Sequence, residues 1–246
     1  MVRVRARALL PQADQFRIQP ERRAIAIRHR ARGRVGTLPE DLAAAEAAPL
    51  CCGGWTAYGA LREAGLGVSA SADGARGQKV ALFGYGGLGH LALQMALHRG
   101  WRVAAVDLSE PKLEMARANG AELAVAGETA GRTLQKEYGG VDAAIVLTPS
   151  PAAIQQAFRA LKRTGTLVLV GISVNQYDLP LVDTIVKGIT VRGSYLGTRQ
   201  ELAEVFELAR SGAIRAHVRT HAIEETPAVL ESMRRGEVLG RAVIGF

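Results

Sequence analysis

The sequence predicts an α/β fold in which a parallel sheet of six strands is doubly wound, with helices on both of its faces. Three observations lead to this prediction. From residue 79 onward, short apolar runs alternate with segments of helical periodicity. The run at 166–171 is apolar without interruption, which is typical of a strand buried on both faces. The first run, at 79–83, ends in a glycine-rich turn that leads directly into a helix.

The predicted elements follow one another in a regular order. Before the sheet, helical segments are predicted at 40–48 and 50–64, and a Gly/Ser/Ala-rich connector at 66–78. The strands of the sheet are predicted at 79–83, 102–107, 122–126, 141–147, 166–171 and 189–194. The helices between them are predicted at 87–99, 109–119, 129–138, 151–163 (with Ser150 as N-cap and Gly165 beyond its end) and 181–187. The last elements are a helix at 199–211, a strand near 216–222, a helix at 226–234 and a strand at 241–245.

Charge and composition exclude several classes of protein. The chain of 246 residues has a net charge of +8, but residues 1–34 hold ten arginines and two acids, and the remainder carries 21 basic and 21 acidic residues. Outside the first 34 positions there is therefore no basic face for nucleic acid. No stretch approaches the length of a membrane span, and the adjacent Cys51 and Cys52 form no disulfide framework. We expect a cytoplasmic protein without membrane or nucleic-acid partners.

The glycine-rich turn has the pattern of a dinucleotide-binding loop, Gly84-x-Gly86-x-x-Gly89, between a strand and a helix. Gly84 allows the tight turn, Gly86 lets the backbone approach a pyrophosphate, and Gly89 lets the helix pack closely on the sheet. The start of the helix presents unpaired N–H groups to the phosphates. The predicted phosphate-binding residues are Gly84, Gly86, Gly87, Leu88 and Gly89.

An acidic residue completes this unit and selects the cofactor. Asp107 ends the second strand, eighteen residues after the last glycine, where its carboxylate can accept hydrogen bonds from both hydroxyls of the adenosine ribose. A carboxylate there repels a 2′-phosphate, so the predicted cofactor is NAD. Lys112, in the first turn of the next helix, is either a further ribose contact or a solvated lysine beside Glu110.

Three segments together resemble the zinc-dependent medium-chain alcohol dehydrogenases. They are Ala48-Pro-Leu-Cys-Cys-Gly-Gly-Trp-Thr-Ala-Tyr58, the loop Gly84-Tyr-Gly-Gly-Leu-Gly-His90, and Gly240-Arg-Ala-Val243. The resemblance covers about residues 35–246. Zinc-free quinone and enoyl reductases of the same superfamily usually lack the first loop glycine and the cysteine of the Pro-Leu-x-Cys pattern. Both features are present here, which favours the zinc-dependent branch.

The resemblance implies hydride transfer between an alcohol or aldehyde and NAD, with roles for particular residues. Cys52 would be a ligand of the catalytic zinc, and Thr56 would pack against the nicotinamide as a catalytic-site residue. Arg241 would bind the pyrophosphate. The residues that would line the nicotinamide pocket are Val170, Gly171, Ile172 and Leu196. It also implies four regions: 1–34, an Arg-rich segment; 35–65, a helical linker from the catalytic domain; 66–196, the Rossmann-type NAD-binding domain; and 197–246, a C-terminal return to the catalytic domain.

The sequence departs from this family before the Pro-Leu-x-Cys segment, where members carry further zinc ligands. A catalytic zinc needs three protein ligands, and Cys52 is the only evident one. His29, His90, His98, His217 and His221 lack suitable partners in the sequence. We therefore expect a chain truncated at its N-terminus that holds no zinc. Residues 1–34 are interpreted as the product of a frame error, or alternatively as a basic arm for acidic partners.

Two functions outside alcohol oxidation stay open. One is a non-catalytic module that binds NAD without turnover, and the other is a zinc-free quinone or enoyl reductase. The last strand of the sheet, at 189–194, would leave an unpaired edge, and such edges tend to pair. We therefore expect a homodimer formed through this edge.

Overall fold

The computed structural model describes residues 38–66, 77–172 and 176–245. Its centre is a six-stranded sheet with the order β3-β2-β1-β4-β5-β6, in which all neighbouring strands are parallel. The strands are β1 (Lys79–Phe83), β2 (Arg102–Asp107), β3 (Leu123–Ala126), β4 (Val141–Val146), β5 (Leu161–Leu169) and β6 (Thr190–Gly193). A separate parallel pair is formed by β7 (Val218–Ala222) and β8 (Arg241–Gly245). The predicted fold class is thus confirmed.

Helices connect the strands and cover the sheet. They are α1 (Ala44–Ala47), α2 (Trp55–Glu63), α3 (Gly89–His98), α4 (Glu110–Ala118), α5 (Ala130–Tyr138), α6 (Pro151–Ala160), α7 (Leu181–Lys187), α8 (Arg199–Arg210) and α9 (Thr226–Arg234). A π-helical turn, Leu50–Gly54, precedes α2, and short 3₁₀ turns at Gly127–Thr129 and Ile223–Glu225 precede α5 and α9. In the described part of the chain, no helix is both long and apolar enough to cross a membrane.

The strands send alternate side chains to the two faces of the sheet, because successive residues of a strand point in opposite directions. In β1, Val80 and Leu82 belong to one buried cluster, which includes residues of α2, α3 and α8. Ala81 and Phe83 belong to a second cluster, which includes residues of α5 and α6. The central strands of the sheet are therefore buried on both faces, and their carboxyl ends carry the loops of the site.

The main difference between prediction and structure lies at the junction of α6 and β5. The sequence predicts helix as far as residue 163, but α6 ends at Ala160 and β5 begins at Leu161. Leu161 pairs with Val141, after which the register shifts so that Thr166 pairs with Ala143. Thr164, with φ of 60°, lies inside this irregularity. Pairing with β4 thus overrides the helical periodicity of residues 161–163.

Other boundaries agree closely with the prediction. The bounds of β1, β2, β8 and α7 are those expected, and Ser150 caps α6 by accepting from Ala153 N at 3.4 Å. The helix predicted at 40–48 is reduced to α1. Residues 1–34 and most of the connector 66–78 lie outside the described residues.

Candidate functional site

The candidate site lies at the carboxyl edge of the sheet, next to the junction of β1 and β4. The chain proceeds from β1 to β2 on one side, and later returns to β4 on the other. At such a reversal of strand order the loops diverge and leave a crevice. Hydrogen bonds hold the ends of the strands in register, from Gly84 N to Val106 O at 2.8 Å and from Leu147 N to Phe83 O at 2.9 Å.

Two glycines of the loop between β1 and α3 are required by close packing. Gly84 has a φ of 101°, a conformation that side chains rarely adopt. A Cβ atom on Gly89 would lie 2.3 Å from the carbonyl oxygen of Gly84. The first and last glycines therefore let the start of α3 lie directly against the end of β1.

The middle of the same loop faces open space. A Cβ on Gly86 would have no atom of the chain within 4 Å. In the described part of the chain, the backbone N–H groups of Gly86, Gly87 and Leu88 have no hydrogen-bond acceptor. Leu88 is the half-buried N-cap of α3. Unpaired N–H groups at a helix N-terminus beside open space fit the phosphates of a dinucleotide.

The carboxylate of Asp107 is held by the backbone beside this loop. Its Oδ2 accepts from Tyr85 N at 2.7 Å, and its Oδ1 accepts from Leu108 N at 2.9 Å and from Ser109 N at 3.1 Å. A carboxylate has about four acceptor positions. Three are used internally, so fewer remain for ribose hydroxyls than the sequence alone suggests, and the free one belongs to Oδ2.

Tyr85 and Asn119 brace the loop, and the sequence analysis did not single them out. The Tyr85 side chain is buried, and its hydroxyl accepts from Asn119 Nδ2 at 2.9 Å. Tyr85 occupies the variable position between two loop glycines, and Asn119 follows the end of α4. No local signal in the sequence links them, because they are brought together only when α4 packs beside the loop.

Arg241, the first residue of β8, lies on the glycine loop. A Cβ on Gly87 would be 2.7 Å from its Cδ, and a Cβ on Gly53 would be 3.6 Å from its guanidinium carbon. Within the described residues, Arg241 has no carboxylate partner. A guanidinium that lies on a phosphate-binding loop without an internal counter-ion is suited to a bidentate phosphate contact.

The residues expected near a nicotinamide lie on neighbouring segments. Val170 and Gly171 follow β5, and a Cβ on Gly171 would be 2.3 Å from the Thr148 carbonyl carbon, so this turn lies tightly against the end of β4. Ile172 is 79% exposed. Leu196 has a φ of 56°, and its carbonyl oxygen contacts Gly59 of α2, the helix that carries Thr56.

Lys112 is half-buried in the first turn of α4. Its suggested neighbour Glu110 pairs instead with Arg117, at 2.6 Å between Oε1 and the guanidinium. The interpretation of Lys112 as a ribose contact therefore stays a prediction.

Cys52 lies in the π-helical turn, which abuts the glycine loop: a Cβ on Gly53 would be 3.3 Å from Gly87 O. Cys52 is an exposed free cysteine. Among the described residues, no three His, Cys, Asp or Glu side chains are grouped so that they could hold a metal ion. The described residues therefore do not fit a tetrahedral zinc site, which needs three protein ligands.

Comparison with known proteins places the chain among dehydrogenases. Residues 87–211 match the family model described as zinc-binding dehydrogenase. An alcohol dehydrogenase of Geobacillus stearothermophilus is 39% identical over 213 residues, and one of Rhizobium meliloti is 41% identical over 212; each match covers 85% of this chain and 60% of the relative. The chain thus spans about 60% of the length of these curated relatives.

Solved structures show the same similarity. The crystal structure of the alcohol dehydrogenase from Aeropyrum pernix is similar with a TM-score of 0.77 and 33% identity, over 84% of this chain and 60% of that chain. The acetophenone reductase of Geotrichum candidum, solved in complex with NAD, has a TM-score of 0.75 and 28% identity, over 85% of this chain and 58% of that chain.

Proposed function

The chain belongs to the zinc-binding dehydrogenase family, and from this premise we propose that it is an NAD-dependent, alcohol dehydrogenase-like oxidoreductase. The proposed reaction is hydride transfer between an alcohol or aldehyde and NAD. The segment described here supplies the cofactor-binding part of that activity. The proposal is supported by the alcohol dehydrogenase relatives and by the fit of the site to a dinucleotide.

The proposal that the cofactor is NAD rather than NADP rests on the position of Asp107. Its carboxylate is fixed by three backbone N–H groups at the end of β2, so it cannot turn away from a ligand in the crevice. A ribose hydroxyl can donate to the free position on Oδ2. A 2′-phosphate in the same place meets a fixed negative charge, and no arginine follows Asp107 to receive it.

The remaining residues would each contact a different part of the dinucleotide. Gly84, Gly86, Gly87, Leu88, Gly89 and Arg241 would hold the pyrophosphate, and Lys112 would contact the ribose. Val170, Gly171, Ile172, Leu196 and Thr56 would enclose the nicotinamide and exclude water from one of its faces. NAD, when bound, supplies the carbon that accepts the hydride. The chain's own residues orient that carbon relative to a substrate.

Zinc chemistry cannot be assigned to the described residues, because Cys52 belongs to no group of three potential ligand side chains there. This incomplete ligand set favours a second candidate function, an NAD-binding module without turnover. A zinc-free reductase of the same superfamily is the third candidate. It is opposed by the Cys52 pattern and by Asp107, since such reductases commonly prefer NADP.

One experiment separates the first two candidates and tests the choice of NAD. NADH and NADPH are titrated into the purified chain, and NADH formation from a panel of primary alcohols is measured together with bound zinc. Strong NADH binding with alcohol turnover supports the oxidoreductase, and NADH binding without turnover supports the module. Equal affinity for NADH and NADPH would contradict the assignment of NAD.

We further infer that two copies associate through the edge of the sheet. Strand β6 is the last in the strand order, and α7, which precedes β6 in the chain and contacts β5, exposes a row of apolar side chains. The exposed fractions are 66% for Leu181, 74% for Val182, 69% for Ile185 and 57% for Val186. A second copy, related by a two-fold axis, could pair its own β6 with this edge and cover both helices. Cytoplasmic localisation is proposed because the chain has only two cysteines, Cys51 and Cys52, which are adjacent and cannot build a disulfide framework.

A further inference from the structure

His90, the second residue of α3, is buried beneath the glycine loop with both ring nitrogens engaged. Its Nδ1 lies 3.0 Å from Gly86 O, and its Nε2 lies 3.2 Å from His217 N. The side chain is 1% exposed. Among the described residues, His90 and Glu201 are the buried polar or charged side chains, and Glu201 caps α8. His90 therefore calls for an explanation, because burying a polar ring is costly unless its groups are paired.

The partners define the protonation state of the ring. A carbonyl oxygen only accepts, so Nδ1 carries the proton and donates to Gly86 O. A backbone N–H only donates, so Nε2 is unprotonated and accepts from His217 N. Both bonds require the neutral form. Burial lowers the pKa of His90 to about 4, so that the ring is neutral at physiological pH.

The residue on the far side of the ring is connected to Arg241. The carbonyl oxygen of His217 accepts from Arg241 N at 2.8 Å. Gly240, which precedes Arg241 in the chain, packs closely on His217, since a Cβ on Gly240 would lie 2.3 Å from His217 O. A continuous series of hydrogen bonds thus runs from Gly86 through His90 and His217 to Arg241, whose guanidinium returns to the loop at Gly87.

We propose that His90 is a positioning residue that joins the glycine loop and Arg241 into one pyrophosphate-binding unit. It orients the Gly86 carbonyl away from the ligand, so that the loop presents N–H groups to the phosphates. It also fixes His217, the residue before β7. Because His217 is hydrogen-bonded to the backbone of Arg241, His90 thereby sets the distance of Arg241 from the loop. This inference rests on the proposed function, because it assumes a ligand that contains a pyrophosphate.

The chain offers a matched control on the same helix. Gln94, one turn after His90, donates through Nε2 to Arg215 O at 3.0 Å and accepts through Oε1 from Arg215 N at 2.8 Å. It therefore ties α3 to the same C-terminal segment. Its Nε2 also donates to the backbone carbonyl of His90 at 2.9 Å, but Gln94 makes no hydrogen bond to the His90 ring, to residues 84–89 or to Arg241. A general loss of tethering would follow from either substitution, whereas loss of positioning would follow only from a change at His90.

The test measures NADH affinity by fluorescence in the wild-type chain and in H90L, H90Q, Q94L, R241M and the H90L/R241M double variant. We expect H90L to weaken NADH binding about tenfold, in keeping with two lost buried hydrogen bonds. H90Q, which keeps one donor and one acceptor, should recover part of that loss, and Q94L should change affinity less than threefold. In the R241M background, H90L should have a smaller effect than in the wild-type chain, because the part of the loss that acts through Arg241 is already absent.

A second ligand separates positioning from a general loss of structure. Adenosine, which has no phosphate, is measured by competition with NADH, and H90L should leave its affinity unchanged. Equal losses for adenosine and NADH, equal effects of H90L and Q94L, or full additivity of H90L with R241M would each overturn the inference. If H90L fails to fold, H90Q, R241M and the H90Q/R241M double variant give the same cycle. Failure of the wild-type chain to bind NADH would instead overturn the proposed function.

Discussion

The backbone N–H of Tyr85 donates a 2.7 Å hydrogen bond to Oδ2 of Asp107. The carboxylate proposed to recognise the ribose therefore also holds the loop proposed to bind the pyrophosphate. Asp107 therefore contributes both to the conformation of the loop and to the preference for one cofactor. A substitution at Asp107 is expected to change both.

Replacing Asp107 with serine should narrow the preference for NADH over NADPH by about 1–2 kcal/mol, since a charge-assisted hydrogen bond and the repulsion of the 2′-phosphate are both lost. Thermal stability should fall as well, because three backbone N–H groups lose their acceptor. Fluorescence titrations with both cofactors measure the first effect and calorimetry the second. Glu110→Gln, at a nearby acid that pairs with Arg117, is the control for charge alone. An unchanged NADH/NADPH ratio in the Asp107 variant would refute this role.

Two glycine substitutions in the same loop should affect different properties, cofactor affinity in one case and stability in the other. Gly86→Ala should leave the melting temperature unchanged, because its Cβ meets no atom of the chain within 4 Å, but it should weaken NADH binding at least tenfold by occupying ligand space. Gly89→Ala should lower stability by roughly 2 kcal/mol or more, since its Cβ would lie 2.3 Å from Gly84 O. Melting curves and NADH titrations of both variants test the pair. Normal cofactor affinity in Gly86→Ala would show that the pyrophosphate does not approach this backbone.

Protonation of His90 should destabilise the fold in acid. Burial, and to a lesser degree the charges of Arg241 and His217, lower its pKa to about 4 from 6.5, while the hydrogen bond to Gly86 opposes the change. The unfolded chain takes up the proton first as pH falls. The stability contribution is therefore complete above about pH 6.5 and is lost between pH 6.5 and 4, by up to about 3 kcal/mol.

Denaturant unfolding of the wild-type chain and of H90Q across this pH range measures that contribution. The difference in unfolding free energy between the two proteins should shrink as pH falls, because the variant has no group with this pKa. A difference that does not vary with pH would mean that His90 is not held in its neutral form.

Association through the sheet edge predicts that Ile185→Glu converts a dimer into a monomer, because a charge on the apolar face of α7 cannot be buried against a second copy. Met233→Glu, at a comparably exposed apolar residue of α9, should leave the dimer intact. Light scattering at micromolar concentration distinguishes these outcomes. A monomeric wild-type chain would show that no such dimer forms. Dissociation by Met233→Glu would place the interface at α9 instead.

Zinc content tests whether Cys52 is part of a metal site. The 246-residue chain should contain well under one zinc per molecule, and Cys52→Ser should not change that amount, because Cys52 belongs to no group of three potential ligands among the described residues. Elemental analysis after dialysis gives both values, and Cys51→Ser is the matched control. One zinc per chain that is lost only in Cys52→Ser would reveal ligands beyond those described.

The sequence alone determined the elements whose signals are local. The apolar runs of β1 and β2 and the segment of α7 carry their own boundaries, because glycine, proline or a capping residue ends each of them. The glycine-rich turn and Asp107 are also recognisable from the sequence, because their spacing between a strand and a helix is typical of a dinucleotide-binding loop. Local sequence fails at residues 161–163, which have helical periodicity but form strand, because Leu161 pairs with Val141.

Only the tertiary structure decided which distant groups meet at the site. His90 and His217 lie 127 positions apart, and Tyr85 and Asn119 lie 34 apart, so no spacing rule joins them. The acceptor positions left on Asp107 likewise depend on how the loop folds back over β2. The physical reason is that periodicity and capping act between residues within a few positions of each other, whereas these contacts exist only after sheet and helices have packed.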